Sequence, residues 1–277
     1  MTEKRYFIGV DSDGTAFNSM IPKHKSAFLP ATIKVWDLQQ YTETVFEIGE
    51  RINLYSKHRG INRFPGQLML FEELKKLGIY VGDFSAFENY IESSKNYSNK
   101  SLKDYMTKNP DLFLDKVYEW STLGDKLFFD AANGMPPFKW VKESLSKVCG
   151  LADVTVVSSA SAKGLTEDWT AGGISEYTHE IMGQENGTKK QQLKKAVGDS
   201  YAKECVLMIG DAIGDYEAAK SIDALFYPIM PGREEESWKE FLEVGSENFF
   251  QGTFAGKYED ELLDEFLKIL SGSVKLK

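Results

Sequence analysis

The sequence predicts an α/β fold: an open parallel sheet with helices on both faces, interrupted by an all-helical insert. Three observations predict it. An apolar, strand-like run over 5–10 stands alone near the N-terminus, in "RYFIGVDSDGT". Residues 19–132 follow with few β-branched runs and helical or loop-like text. From 133 onward, strand-like and helix-like segments alternate, which implies right-handed crossovers between parallel strands. A lone buried strand has nothing to pair with, so 5–10 must join the later sheet. The expected organisation is a core of 1–18 and 133–277 and an insert of 19–132.

Within the insert, "TIKVWDLQQYTETVFEIGERINLY" spaces Val35, Leu38, Val45, Phe46, Ile48 and Ile52 as one helix stripe would. "GQLMLFEELKKLG" reads as a second amphipathic helix stopped by Gly78. Residues 101–130 add helical segments broken near Pro110. After "NGMPPF" (133–138) the core resumes with a helix over 139–150 and a strand over 153–159. A helix opens at "SAKGLTEDWTAG", and a short strand covers 177–183. The helix "KKQQLKKAVGDSYA", a strand over 205–211, the helix "DYEAAKSI" and a strand over 224–230 complete the alternation. The acidic run 233–241 reads as the exposed first turn of a helix, where negative charge suits the dipole.

Composition narrows the function classes. Apolar residues at 42% and charged residues at 27% describe an ordinary globular chain. A formal charge of −9 argues against a nucleic-acid or anionic-membrane surface. A phosphate-bearing ligand must therefore be held by local positive groups or a metal. Cys149 and Cys205 form no C-x-x-C pair, which fits a reducing cytosol. The apolar stretch at the N-terminus is too short for a signal peptide, and none approaches the ~20 residues of a membrane helix. The expected location is cytoplasmic.

In an open parallel sheet, ligands bind beyond the carboxyl ends of the strands. After 5–10 come Asp11 and Asp13; after 153–157 come Ser158, Ser159 and Ser161; after 205–209 come Asp211 and Asp215. "NGTKKQQL" puts Lys189 and Lys190 at the start of a helix. Each item alone also fits a plain turn. Together they bring up to four carboxylates, a hydroxyl and an ammonium to one sheet edge. Clustered acids raise one another's pKa, and a hard cation such as Mg²⁺ relieves this while bridging to a phosphate.

These residues carry a resemblance to the haloacid dehalogenase superfamily of phosphohydrolases. "DSDGT" (11–15) resembles its D-x-D-G-T motif, and "VVSSAS" (156–161) its Ser or Thr at a strand end. The lysine of "GTKKQQL" resembles its third motif, and "IGDAIGD" (209–215) its G-D-x-x-x-D. All four occur in order, and the insert falls at the family's helical cap position, so the core is expected to be Rossmann-like. The resemblance implies Asp11 as a nucleophile forming an aspartyl-phosphate and Asp13 as general acid and base. The family's dehalogenases lack the second Asp, which favours phosphoryl chemistry here. It implies Mg²⁺ held by Asp11, the Asp13 carbonyl and Asp211, with Asp215 close by. It implies phosphate contacts from Ser159 and Lys189, with Ser12, Gly14 and Ala160 beside them. The "SAS" pattern of the family's phosphosugar mutases favours Ser159 over Ser158. Lys189, directly after Thr188, is favoured over Lys190, although no proline follows as it often does in the family.

His24 lies just beyond the first motif, where several cap-bearing relatives carry a histidine near the hinge; it either orients substrate, assists Asp13, or is a surface or hinge histidine. Arg51, Arg59 and Arg63 either meet the non-reacting part of an anionic substrate or are solvated charge. Trp36, Trp120 and Trp169 read as packing residues, and His58 and His179 form no ligand spacing. The expected function is a Mg²⁺-dependent phosphatase of a small phosphorylated metabolite, with substrate choice and water exclusion by the cap. A phosphomutase or a phosphonate hydrolase uses the same fold. A non-catalytic binding protein is the alternative outside it.

Overall fold

A computed structural model describes residues 4–94, 96–132 and 134–271. The chain divides into two compact units, Met1–Ser19 with Gly134–Lys277, and Met20–Asn133.

The first unit is built on β1 (Tyr6–Val10), β2 (Ala152–Val157), β3 (Glu180–Met182), β4 (Val206–Gly210) and β5 (Leu225–Pro228). They form one parallel sheet in the order β3-β2-β1-β4-β5. β1 is central, with Val10 opposite Val156 of β2 and Ile209 of β4. A central parallel strand is covered on both faces, which is why Phe7, Ile8 and Val10 are all apolar and buried. Gly9 is small of necessity: a Cβ there would lie 2.9 Å from Met208 Sδ. The chain moves outward through β2 and β3, then returns to the other side of β1 for β4 and β5. The strand order therefore reverses between β1 and β4.

The sequence expectation of a strand over 177–183 holds only for its middle. Residues Ser175–Tyr177 form a short 3₁₀ turn instead, because Thr178 N–H is satisfied within that turn by Ser175. The strand over 153–159 likewise ends at Val157.

The second unit is helical among its described residues. A π-helical turn over Pro22–Phe28 runs into α1 (Leu29–Val35); α2 (Thr42–Asn53), α3 (Arg63–Lys76), α4 (Ser85–Ser93), α5 (Asn99–Met106) and α6 (Leu112–Ala132) follow. The single helix expected from Thr32 to Tyr55 is broken. Asp37 takes φ 55°, a left-handed conformation that Asp tolerates and a helix cannot contain. Leu38 and Val45 nevertheless both reach the same core. α3 ends as expected: Gly78 adopts φ 75° while Ile79 N–H bonds back to Leu74. α4 was absent from the sequence expectation, since its Phe87 and Tyr90 repeat over too short a span to show a stripe. The core of this unit is aromatic, with Phe64, Phe71, Phe87, Tyr90 and Trp120 fully buried. Trp36 packs edge-on against Phe71, and Trp120 Nε1 donates to Phe28 O at 3.1 Å.

The first unit resumes with α7 (Val141–Val148), α8 (Ala162–Ala171), α9 (Lys189–Val197) and α10 (Ile213–Lys220). α11 (Glu234–Glu240), α12 (Ser246–Gln251) and α13 (Lys257–Leu270) close it. α11 carries Glu234, Glu235 and Glu236 in its first turn, as the acidic run predicts. No helix among the described residues is long and apolar enough to cross a membrane.

Candidate active site

β1 and β4 are the neighbours between which the strand order reverses, and such a switch point opens a crevice beyond the strand ends. Asp11 follows β1 directly and Asp211 follows β4, while Asp215 enters on the first turn of α10. Parallel pairing in register brings the first two together: Asp11 N–H donates to Ile209 O at 3.0 Å. Asp11, Asp211 and Asp215 are all buried, and one carboxylate oxygen from each lies within 4.8 Å of the others.

Lys189, at the start of α9, reaches into this group. Its Nζ stands 2.9 Å from Asp11 Oδ1 and 2.7 Å from Asp215 Oδ1. Lys190 points elsewhere, to the exposed Glu217 at 3.4 Å. Helical geometry separates the two, because adjacent residues cannot share a face. Thr188 caps the helix, accepting from Gln191 N–H at 3.3 Å, and so fixes where Lys189 starts.

The electrostatics follow from burial. Burial pushes the Asp11 carboxyl well above the usual carboxylate range; Lys189 opposes this, and Asp215 and Asp211 add to it. Asp215 is raised by burial and by Asp211, against the pull of Lys189. Burial pulls Lys189 down, but Asp11 and Asp215 outweigh it, so it stays an ammonium. Three carboxyl groups thus face one ammonium. All their donor atoms are hard oxygens, so the set fits a hard divalent cation such as Mg²⁺.

Supporting contacts order the group. Thr15 Oγ1 donates to Asp211 Oδ1 at 2.8 Å and lies 3.4 Å from Asp11 Oδ2. Asp215 Oδ2 accepts from Ala212 N–H at 3.1 Å. Gly210 is a close approach: a Cβ there would sit 2.3 Å from Asp215 Cβ. Asp13 is half-buried on the turn after β1, where Gly14 takes φ 77°, and its Oδ1 accepts from Ser19 Oγ at 2.5 Å. Asp168 of α8 is raised by burial and by Asp13, which places the two acids in one field.

The other expected residues lie as follows. Ser158 is buried, and its Oγ accepts from Ala160 N–H at 3.2 Å. Ser159 is exposed, with no intramolecular partner for its hydroxyl among the described residues. The Ser12 hydroxyl is buried and accepts from Trp169 Nε1 at 2.9 Å. The Gly14 amide donates to Phe17 O at 2.9 Å. The side chains of Ser12 and the amides of Gly14 and Ala160 thus already have partners within the chain. His24, in the second unit, is buried, and burial, Lys23 and Arg59 push its pKa down to about 3. Of the arginines, Arg51 pairs with Glu73 at 2.9 Å on the surface. Arg59 Nη1 donates to Leu54 O at 2.8 Å, and Arg63 bonds Ser121 and Asp125 inside its unit. Two residues escaped the sequence reading, Thr15 and Trp169 as partners of the first motif. Thr15 was legible within "DSDGT"; Trp169 is a helix residue whose inward polar atom leaves no trace in a sequence.

No protein-family model matches the chain, and no curated protein matches it. Solved structures similar to it include a haloacid dehalogenase-like hydrolase from Streptococcus pneumoniae, 14% identical, covering 86% of this chain and 90% of that one, TM-score 0.46. Another is the L-2-haloacid dehalogenase of Xanthobacter autotrophicus, 14% identical, covering 87% and 83%, TM-score 0.43. A third is a predicted phosphoglycolate phosphatase from Haemophilus somnus, 16% identical, covering 83% and 88%, TM-score 0.47.

Proposed function

We propose that the chain is a Mg²⁺-dependent phosphohydrolase of the haloacid dehalogenase-like superfamily, acting on a small phosphorylated metabolite. One observation carries this reading: Asp11, Asp211 and Asp215 cluster, buried, at the switch point of a parallel sheet, with Lys189 paired to Asp11 and Asp215.

In this reading Asp11, the Asp13 carbonyl and Asp211 hold the ion, with Asp215 beside them. The ion, when bound, offsets charge on the transferring phosphoryl group. The Asp11 carboxylate attacks phosphorus, the bond to the leaving oxygen breaks, and Asp13 gives that oxygen its proton. Asp13 then takes a proton from water, whose oxygen attacks the aspartyl-phosphate; the bond to Asp11 breaks and inorganic phosphate leaves. Ser19, donating to Asp13 Oδ1, orients that carboxyl. Lys189 holds Asp11 in line and faces the phosphate charge, and the exposed Ser159 hydroxyl donates to a phosphate oxygen. Asp13 supports hydrolysis of a phosphate ester rather than dehalogenation, which has no leaving oxygen to protonate.

The test is turnover of p-nitrophenyl phosphate and a panel of phosphorylated metabolites. Activity is expected with Mg²⁺, lost with EDTA and restored by added Mg²⁺, and absent in Asp11→Asn. A wild type inert on the whole panel, or an active Asp11→Asn, refutes the reading.

A further inference from the structure

Gln192 of α9 is fully buried and lies one helical turn after Lys189, on the same face. Its Oε1 accepts from Ser158 N–H at 3.0 Å. Its Nε2 donates to Ser158 O at 2.9 Å, to Gly183 O at 3.0 Å and to Gly187 O at 2.8 Å. One side chain thus grips both backbone groups of Ser158 and ties them to the two turns that follow β3. A buried amide with every polar atom engaged holds a single rotamer, and the loop with it.

The neighbouring loop is fixed from the other side as well. Gln184 N–H donates to Ala160 O at 2.8 Å. Gly183 approaches so closely that a Cβ would stand 2.3 Å from Ala162 N and 2.7 Å from Ala160 O. Between these clamps Ser159 alone turns its side chain outward, exposed and with its hydroxyl unbonded within the described chain. The backbone on both sides of Ser159 is anchored while its hydroxyl is left for a ligand.

We infer that Gln192 is a positioning residue for substrate phosphate: by clamping Ser158 it aims the Ser159 hydroxyl, from the same helix that delivers Lys189. The inference rests on the phosphatase reading above. It adds a residue outside the four motifs, three positions beyond the lysine, whose effect is on phosphate binding and not on bond-making.

The experiment is steady-state kinetics with p-nitrophenyl phosphate and Mg²⁺, plus the inhibition constant of inorganic phosphate. The proteins are the wild type, Gln192→Met, Ser159→Ala and the double variant. Loss of one well-aimed hydrogen bond to a charged group predicts that Gln192→Met raises KM and the phosphate inhibition constant together by about tenfold. kcat is expected to change much less, as for an interaction made equally in ground and transition states. The double variant is expected to bind phosphate no worse than Ser159→Ala. A residue that only stabilised the fold would lower the denaturation midpoint and the active fraction and leave KM alone. Gln192→Asn keeps a neutral amide but is one methylene too short to reach both backbone groups of Ser158; if Gln192→Met does not fold, this variant is expected to show the same joint rise. Unchanged binding in a folded variant, or losses that multiply in the double variant, overturns the inference. A wild type that neither turns over the ester nor binds phosphate removes the phosphatase reading and this inference with it. An active, phosphate-binding wild type with unchanged variants removes the role of Gln192 alone.

Discussion

Replacing His24 by leucine removes a buried titratable group and changes how stability depends on pH. The imidazole is 3% exposed, and burial, then Lys23 and Arg59, push its pKa from 6.5 to about 3. The native state thus holds the neutral ring, while the unfolded chain takes up a proton below 6.5. Stability tied to His24 is complete above 6.5 and is lost as pH falls towards about 3. Each pH unit in that window costs about 1.4 kcal/mol. From pH 8 to pH 5 the wild type should therefore lose about 2 kcal/mol more than His24→Leu, whose side chain cannot titrate. Urea denaturation at both pH values measures this, and the difference between proteins cancels groups common to both. Equal losses within ~0.5 kcal/mol refute the reasoning, since linkage requires the full difference for a group so displaced.

Gly210→Ala should drive a methyl into Asp215, whose Cβ, Cγ and Oδ2 lie 2.3 to 2.6 Å from the new atom. Such overpacking costs about 1–3 kcal/mol and moves a carboxylate of the proposed metal site, so the Mg²⁺ concentration for half-maximal turnover should rise; an unchanged midpoint and unchanged metal dependence would contradict this. Trp169→Phe keeps an aromatic ring but deletes the donor to Ser12 Oγ. A denaturation cycle with Ser12→Ala should return a coupling of about 1 kcal/mol, and strictly additive losses would show that the bond contributes nothing.

Much of this was written along the chain. The parallel sheet was legible because fully buried strands must be continuous apolar runs, as in Phe7–Val10 and Val206–Ile209, separated by helices. The four acids and the lysine were legible because each sits within three residues of a strand end or helix start, where backbone geometry leaves little choice. The second unit was less so: the stripe from Val35 to Ile52 runs on in the sequence across a break that Asp37 makes in space.

By itself the sequence determined the alternation of elements and the order of the chemistry-bearing residues, both properties of local spacing and burial. Tertiary structure alone decided the rest. Which strands adjoin β1, and hence that Asp11 and Asp211 meet, depends on a chain reversal no local pattern encodes. Lys189 rather than Lys190 faces the acids because the angular setting of α9 against the sheet turns one side chain in and the next to solvent. The grip of Gln192 on Ser158, Gly183 and Gly187 joins three backbone segments that only packing brings within hydrogen-bond reach.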